Sequence, residues 1–144
     1  MKGESRPPAS SEGVRERMSR QRVRNTEPEL ALRRELHRRG LRFRVHRRCL
    51  NGLRRTVDIV FGPTKVAVDV RGCFWHGCPE HAVPPKANAT WWQEKLQANR
   101  RRDDETEAAM TESGWAYVVV WEHEDPVLAA DRVERLVCER RSRP

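Results

Sequence analysis

No stretch of the chain approaches the ~18 consecutive apolar residues that cross a membrane, and no signal-peptide pattern opens it. The expectation is a cytoplasmic protein without a membrane partner. Cysteine is scarce: Cys49, Cys73, Cys78 and Cys138 are all there is. Without a secretory signal they read as thiols or metal ligands, not as a disulfide framework. Internal repeats are absent. Apolar residues make up 37% of the 144 residues and charged ones 35%. That supports one compact core under a heavily solvated surface, hence one domain.

Acidic residues are sparse in one half. Residues 1–55 hold 17 Lys and Arg against 6 acids, while residues 56–144 hold 12 against 15. An arginine-dense half fits a polyanion, most simply a nucleic-acid backbone, and the planar guanidinium suits phosphate oxygens. The plain alternative is a solvated basic face. Residues 1–17 (MKGESRPPASSEGVRER) lack apolar periodicity and read as a disordered basic arm. Residues 18–144 are the expected folded domain.

That domain should open with a helix. Thr26-Glu27-Pro28-Glu29 has the form of a capping box, Leu30, Leu32 and Leu36 supply an apolar stripe, and Gly40 is a natural stop. LRFRVH then alternates Leu41, Phe43 and Val45 with Arg42, Arg44 and His46, a half-buried strand with a basic outer face. TVDIVF (56–61) and KVAVDV (65–70) follow as a hairpin turning at Gly62-Pro63. A long helix opens at a second capping box, Thr90 to Gln93, and ends at Ser113-Gly114. WAYVVVW (115–121) is continuously apolar and reads as a central strand buried on both faces. Asp125-Pro126 caps a last amphipathic helix through Leu128, Val133, Leu136 and Val137. The order gives an α/β fold, a mixed central sheet flanked by helices.

Three features carry chemistry. On the long helix, Trp92, Leu96, Asn99, Asp103, Thr106 and Met110 fall within about 40° of one inward line. Asp103 therefore points where an unpaired carboxylate costs several kcal/mol and needs a partner. Asp58 stands mid-strand, where aspartate is disfavoured. With Asp103 it points to a divalent cation or a polarised histidine, and magnesium suits so sparse an acidic site. The alternative is a sheet-edge Asp paired with an arginine. Finally, RGCFWHGCPEH packs Cys73, His76, Cys78 and His81 together. Tetrahedral zinc wants four such ligands. If His76 is the fourth, the site is local. If His123 is the fourth, zinc ties the loop to the end of the last strand and leaves His76 for chemistry. Buried thiols beside a stray histidine are the non-metal alternative.

GCFWHGCPEH, the helical WW-x-E-K-L-x-x-N-x-x-R-D and GW-x-x-x-x-VWE-H resemble the very short patch repair (Vsr) endonucleases, DNA mismatch nicking enzymes with a restriction-endonuclease-like fold. RMSRQRVRNTEPELALRRELHRRGLRFRVHRR resembles them too, so the likeness spans roughly residues 17–138. It implies a metal-binding aspartate at Asp58 and an acidic helix residue at Glu29. It implies a catalytic histidine at His76, oriented by Asp103, and a structural zinc on Cys73, Cys78, His81 and His123. Aromatics that wedge beside the mismatch fall on Phe74, Trp75 and Trp92, with core packing the alternative for all three. The second Mg²⁺ ligand is a backbone carbonyl, here that of Val70.

The chain departs from the family pattern in places. Asp69-x-Arg71 looks like the acid-x-Lys signature of restriction nucleases, but strand alternation turns Asp69 away from the Val70 face. Arg71 replaces a small, acidic or His residue and is a candidate phosphate contact. The reading is a monomeric, nucleoid-associated, Mg²⁺-dependent and zinc-stabilised endonuclease. It would nick double-stranded DNA beside a T:G mismatch left by 5-methylcytosine deamination, within a repair pathway of unidentified partners. Its rivals are a nicking or restriction-associated enzyme of the same fold with another specificity, and a zinc-stapled DNA-binding module without catalysis. A catalytic-zinc hydrolase is disfavoured, since four ligands leave zinc no open position.

Overall fold

The computed structural model describes residues 26–76, 78 and 86–142. The basic arm, His81 and the side chains of Phe74 and Trp75 lie outside that description. Helix α1 (Glu27–Arg38) leads into strands β1 (Arg44–Arg47), β2 (Val57–Phe61) and β3 (Val66–Arg71). A single turn, α2 (Cys73–His76), and the long α3 (Ala89–Glu112) precede β4 (Ala116–Trp121) and α4 (Pro126–Arg141). The sheet is mixed, in the order β1-β2-β3-β4. β1, β2 and β3 are antiparallel neighbours, and β4 runs parallel to β3.

Helices cover both faces. On one, Leu32 and Leu36 of α1 and Ala129, Ala130, Val133 and Val137 of α4 pack on Ile59, Phe61, Val66, Val68 and Val120. On the other, Met110 of α3 meets Val57, Val60 and Ala67. Leu36 is fully buried, so truncating it to alanine would cost about 2–5 kcal/mol. Val57 groups with Val60 and not with Ile59, so the two-residue alternation of β2 breaks at Asp58.

Helix ends follow the glycines. Gly40 (φ 78) and Gly114 (φ 85) take the left-handed conformation. Leu41 N–H then bonds to Leu36 O, Gly40 to His37, Trp115 to Met110 and Gly114 to Thr111. Both helices thus end in the same pattern, which satisfies carbonyls left over by the last turn. Asp125 caps α4 by accepting from Val127 and Leu128 N–H.

Several expectations are corrected. Neither capping box forms: Thr26 and Asn88 hold the cap positions without a side-chain cap bond. The Glu29 carboxylate turns inward instead, and α3 begins at Ala89, before Thr90. β4 is an edge strand among the described residues, half-buried except at Val120. Its aliphatic run serves the face packed on α4. Leu128 is 68% exposed, because Ala129 and Ala130 make the close contact in its place. β1 is shorter than LRFRVH, starting at Arg44.

Candidate active site

Strands β2 and β3 part company at one end, and the site forms there. The register Ile59↔Val68, Val60↔Ala67 and Phe61↔Val66 sets Asp58 opposite Asp69. The regular pairing stops before these two. Side chains bridge the gap: Asp58 N–H donates to Asp69 Oδ1 at 3.0 Å, and Val70 N–H donates to Asp58 Oδ2 at 2.8 Å. Burial above all, then the Asp69 and Glu29 carboxylates, pushes Asp58 up to about 8, against the pull of the Val70 N–H and Arg33.

Glu29 reaches this end of the sheet from the first turn of α1. Its side chain is 2% exposed, and Oε2 lies 2.9 Å from Arg33 and 3.2 Å from His46 Nε2. Neither approach is aligned well enough to count as a hydrogen bond at Oε2. The spare lone pairs on a buried carboxylate oxygen are what a divalent cation would take. His46 Nδ1 is 3.7 Å from Asp58 Oδ1. Glu29, His46 and Asp58 each bring a ligand atom within 4.8 Å of the others. A divalent cation fits this set of two carboxylates and an imidazole.

A second limb runs along the α3 side. Tyr117 O–H donates to Asp69 Oδ2 and accepts from Arg71 at 3.1 Å. Arg71 Nε lies 4.0 Å from Asp103 Oδ2, and that same oxygen is 2.8 Å from His76 Nδ1. A contiguous chain therefore joins Asp58 to His76 through Asp69, Tyr117, Arg71 and Asp103. The helical period of α3 brings Asp103 here: Trp92, Leu96, Thr106 and Met110 bury the same stripe. His76 is one-third exposed and Asp103 less so, which suits a base that must meet a solvent-borne substrate. Arg71 is only 9% exposed, so a phosphate would have to enter the cleft to reach it. Trp92 is 4% exposed and packs edge-on against Trp91 at 4.7 Å, as core packing asks.

The thiol cluster starts at Cys73, the first residue of α2. Cys73 Sγ is 3.2 Å and Cys78 Sγ 3.7 Å from His123 Nδ1. Ligands of one tetrahedral zinc stand ~3.5–3.8 Å apart, given its bond lengths. The Cys78 separation falls in that range and the Cys73 one a little below it, so the three residues could hold such an ion after a small shift of Cys73. Burial first, then Cys78 and Glu122, pushes the Cys73 thiol up to about 12. Glu122 accepts the Cys73 N–H at 3.0 Å. His76 makes its contact with Asp103 instead.

Sequence reasoning missed His46, Arg33, Tyr117 and Glu122. His46 was assigned to the solvent face by alternation. Its left-handed backbone (φ 51) defeats that rule, at roughly 1–2 kcal/mol for an L-residue. Tyr117, the chain's one tyrosine, inside an aliphatic strand, was an available signal.

On the β1 flank, Arg42, Arg44, Arg47 and Arg48 line an open groove with Trp115. No described helix is long and apolar enough to cross a membrane.

A family profile described as DNA mismatch endonuclease Vsr matches residues 11–81. The type II nicking enzyme V.XorIIP of Xanthomonas oryzae pv. oryzae is 44% identical over 117 residues, covering 80% of this chain and 83% of that protein. The type II nicking enzyme V.NaeI of Lentzea aerocolonigenes is 40% identical over 121 residues, 83% of this chain and 73% of that one. The DNA mismatch endonuclease Vsr of Escherichia coli K12 is 35% identical over 86 residues, 58% of this chain and 52% of its own.

Proposed function

Because the chain belongs to the Vsr family of nicking endonucleases, and is thereby a DNA phosphodiester hydrolase, we propose that it nicks duplex DNA beside a T:G mismatch left by 5-methylcytosine deamination. The observation that carries the chemistry is the His76–Asp103 pair at 2.8 Å, linked through Arg71, Tyr117 and Asp69 to the backbone N–H of Asp58. His76 takes the proton of the attacking water. Asp103 holds the imidazole in one tautomer and stabilises its protonated form.

Asp58 and the Val70 carbonyl hold Mg²⁺, with Glu29 alongside. When bound, the ion supplies charge stabilisation to the phosphate and the departing oxygen. Val70 N–H anchors Asp58 Oδ2, which keeps the carboxylate and the Val70 backbone together. Arg71 adds a fixed positive charge where a phosphate would lie. Phe74 and Trp75 unstack the mispair, where unstacking costs least; the burial of Trp92 favours core packing for that residue. Cys73, Cys78, His81 and His123 hold a structural zinc that ties the α2 loop to the end of β4. The arginine groove beside β1 suits the DNA backbone, and the enzyme acts as a monomer in a DNA repair setting.

The test is incubation with T:G-mismatched and matched duplexes, with Mg²⁺ or with a chelator. A single-strand nick confined to the mismatched duplex with Mg²⁺ is the expected result. Equal nicking of both duplexes would remove the mismatch from the reading. A second reading has its own support: the type II nicking enzymes align over more of this chain than the mismatch endonuclease does. The same chemistry would then serve a different sequence context, and duplexes of varied sequence around the mispair separate the two.

A further inference from the structure

The ring of His46 has no task in the reading above, yet it spans the two carboxylates assigned to the cation. Nε2 is 3.2 Å from Glu29 Oε2 and Nδ1 is 3.7 Å from Asp58 Oδ1, with 12% of the side chain exposed. We propose that His46 is a metal ligand of the nicking centre: Nδ1 joins Asp58 on the divalent cation while Nε2 faces the Glu29 carboxylate, 3.2 Å away. The inference rests on the reading of Asp58 as a cation ligand and deepens it.

The separations favour a shared ion. At 3.7 Å the Nδ1–Asp58 pair is too long for a hydrogen bond. Two donors at ~2.1 Å from one ion stand about 3 Å apart at a right angle and nearly 4 Å apart at wider angles. On the far nitrogen, a carboxylate is the partner that metal-bound histidines adopt, because it fixes tautomer and ring plane. The register supports the placement too. Val45↔Ile59 and Arg47↔Val57 pair on either side, so His46 stands directly opposite Asp58. The left-handed backbone at His46 turns a side chain that alternation would send to solvent towards this pair.

An imidazole nitrogen changes what the site prefers. Mg²⁺ favours oxygen donors, whereas first-row transition ions accept mixed nitrogen and oxygen sets. The chain should therefore hold Mn²⁺ more tightly than Mg²⁺, and loss of the ring should narrow that gap about tenfold.

The experiment is pulsed electron paramagnetic resonance of Mn²⁺ bound to the full-length protein without DNA, with affinities by titration. The expected result is ¹⁴N modulation from a directly bound imidazole, lost in His46→Asn and kept in His76→Gln. Asparagine tolerates left-handed backbone, and circular dichroism confirms that the variant is folded. Mn²⁺ bound in an Asp58-dependent way without ¹⁴N modulation, or with modulation surviving His46→Asn, would overturn the inference alone. If Asp58→Asn binds Mn²⁺ as tightly as the parent, the Asp58 reading falls and this inference with it.

Discussion

Asp58 and Asp69 stand opposite each other where β2 and β3 diverge, and each carboxylate takes a backbone N–H from the opposing strand. The arrangement places two acids side by side in a half-dry cleft and pushes Asp58 up to about 8. In the unfolded chain the same carboxyl titrates near ~3.9. Between those values the folded protein keeps a proton that the unfolded chain has lost. Metal-free stability should therefore fall as pH rises from about 4 to about 8 and level off above that. Asp58→Asn should flatten this slope and raise the urea midpoint near neutral pH while abolishing nicking. A variant that keeps the parent's pH slope would show that another group sets it.

A bound divalent cation reverses the balance, because it needs the carboxylate ionised. Cation binding below about pH 8 should release a proton, and affinity should rise with pH up to that point. Calorimetry in two buffers of different ionisation enthalpy measures the proton count directly. No proton release at neutral pH would separate the cation from Asp58.

Much of this site was legible in the sequence, for identifiable reasons. The α3 stripe was readable because a helix imposes its period over six turns, and a single Asp on that line stands out. Asp58 was readable because aspartate has little reason to sit mid-strand. His46 was not, since strand alternation assumes extended backbone and the left-handed residue breaks it locally. The two capping boxes misled because Ser/Thr-x-x-Glu/Gln describes a competence that tertiary demand can override; Glu29 was taken by the site. The run WAYVVVW signals burial, but it does not say whether another strand lies beyond.

The thiol cluster gives a separate prediction. Cys73 is pushed up to about 12 by burial and by its neighbours, so a zinc ion must displace a firmly held proton and its apparent affinity should drop as pH falls. Cys73→Ser and His123→Ala should each lower zinc content, measured by elemental analysis, and lower the melting temperature. Because the cluster is distinct from Asp58, nicking by whatever fraction stays folded should persist. Full zinc occupancy in His123→Ala would exclude it as a ligand.

Tyr117 offers a test of the chain that connects the two limbs. Its hydroxyl sits between Asp69 and Arg71, and its phenylalanine replacement leaves buried Arg71 and half-buried Asp69 each short of one bond. A stability loss of about 1–3 kcal/mol is expected in chemical denaturation. With Arg71 released from its tether near Asp103, the nicking rate should drop severalfold while Mg²⁺ affinity is kept. An unaltered rate would confine the tyrosine to a structural role.

The sharpest residue assignment is the pair His76 and Asp103. Asp103 Oδ2 is 2.8 Å from His76 Nδ1, whereas the competing guanidinium of Arg71 stays 4.0 Å from the same oxygen. Distance therefore favours the imidazole over the arginine as the carboxylate's main partner, and leaves Nε2 as the nitrogen to meet water. Replacing Asp103 by asparagine keeps the shape but removes the charge that favours protonated imidazole. Nicking should fall by about 10²–10⁴-fold, the span of general-base catalysis, with DNA affinity held within a small factor. His76→Ala should cost a similar amount, and the double variant scarcely more than either, because the two residues act as one unit. Single-turnover rates on a nickable duplex, measured beside binding isotherms in Ca²⁺, give both quantities. Fully multiplicative losses in the double variant would mean that Asp103 works through Arg71 and not through His76.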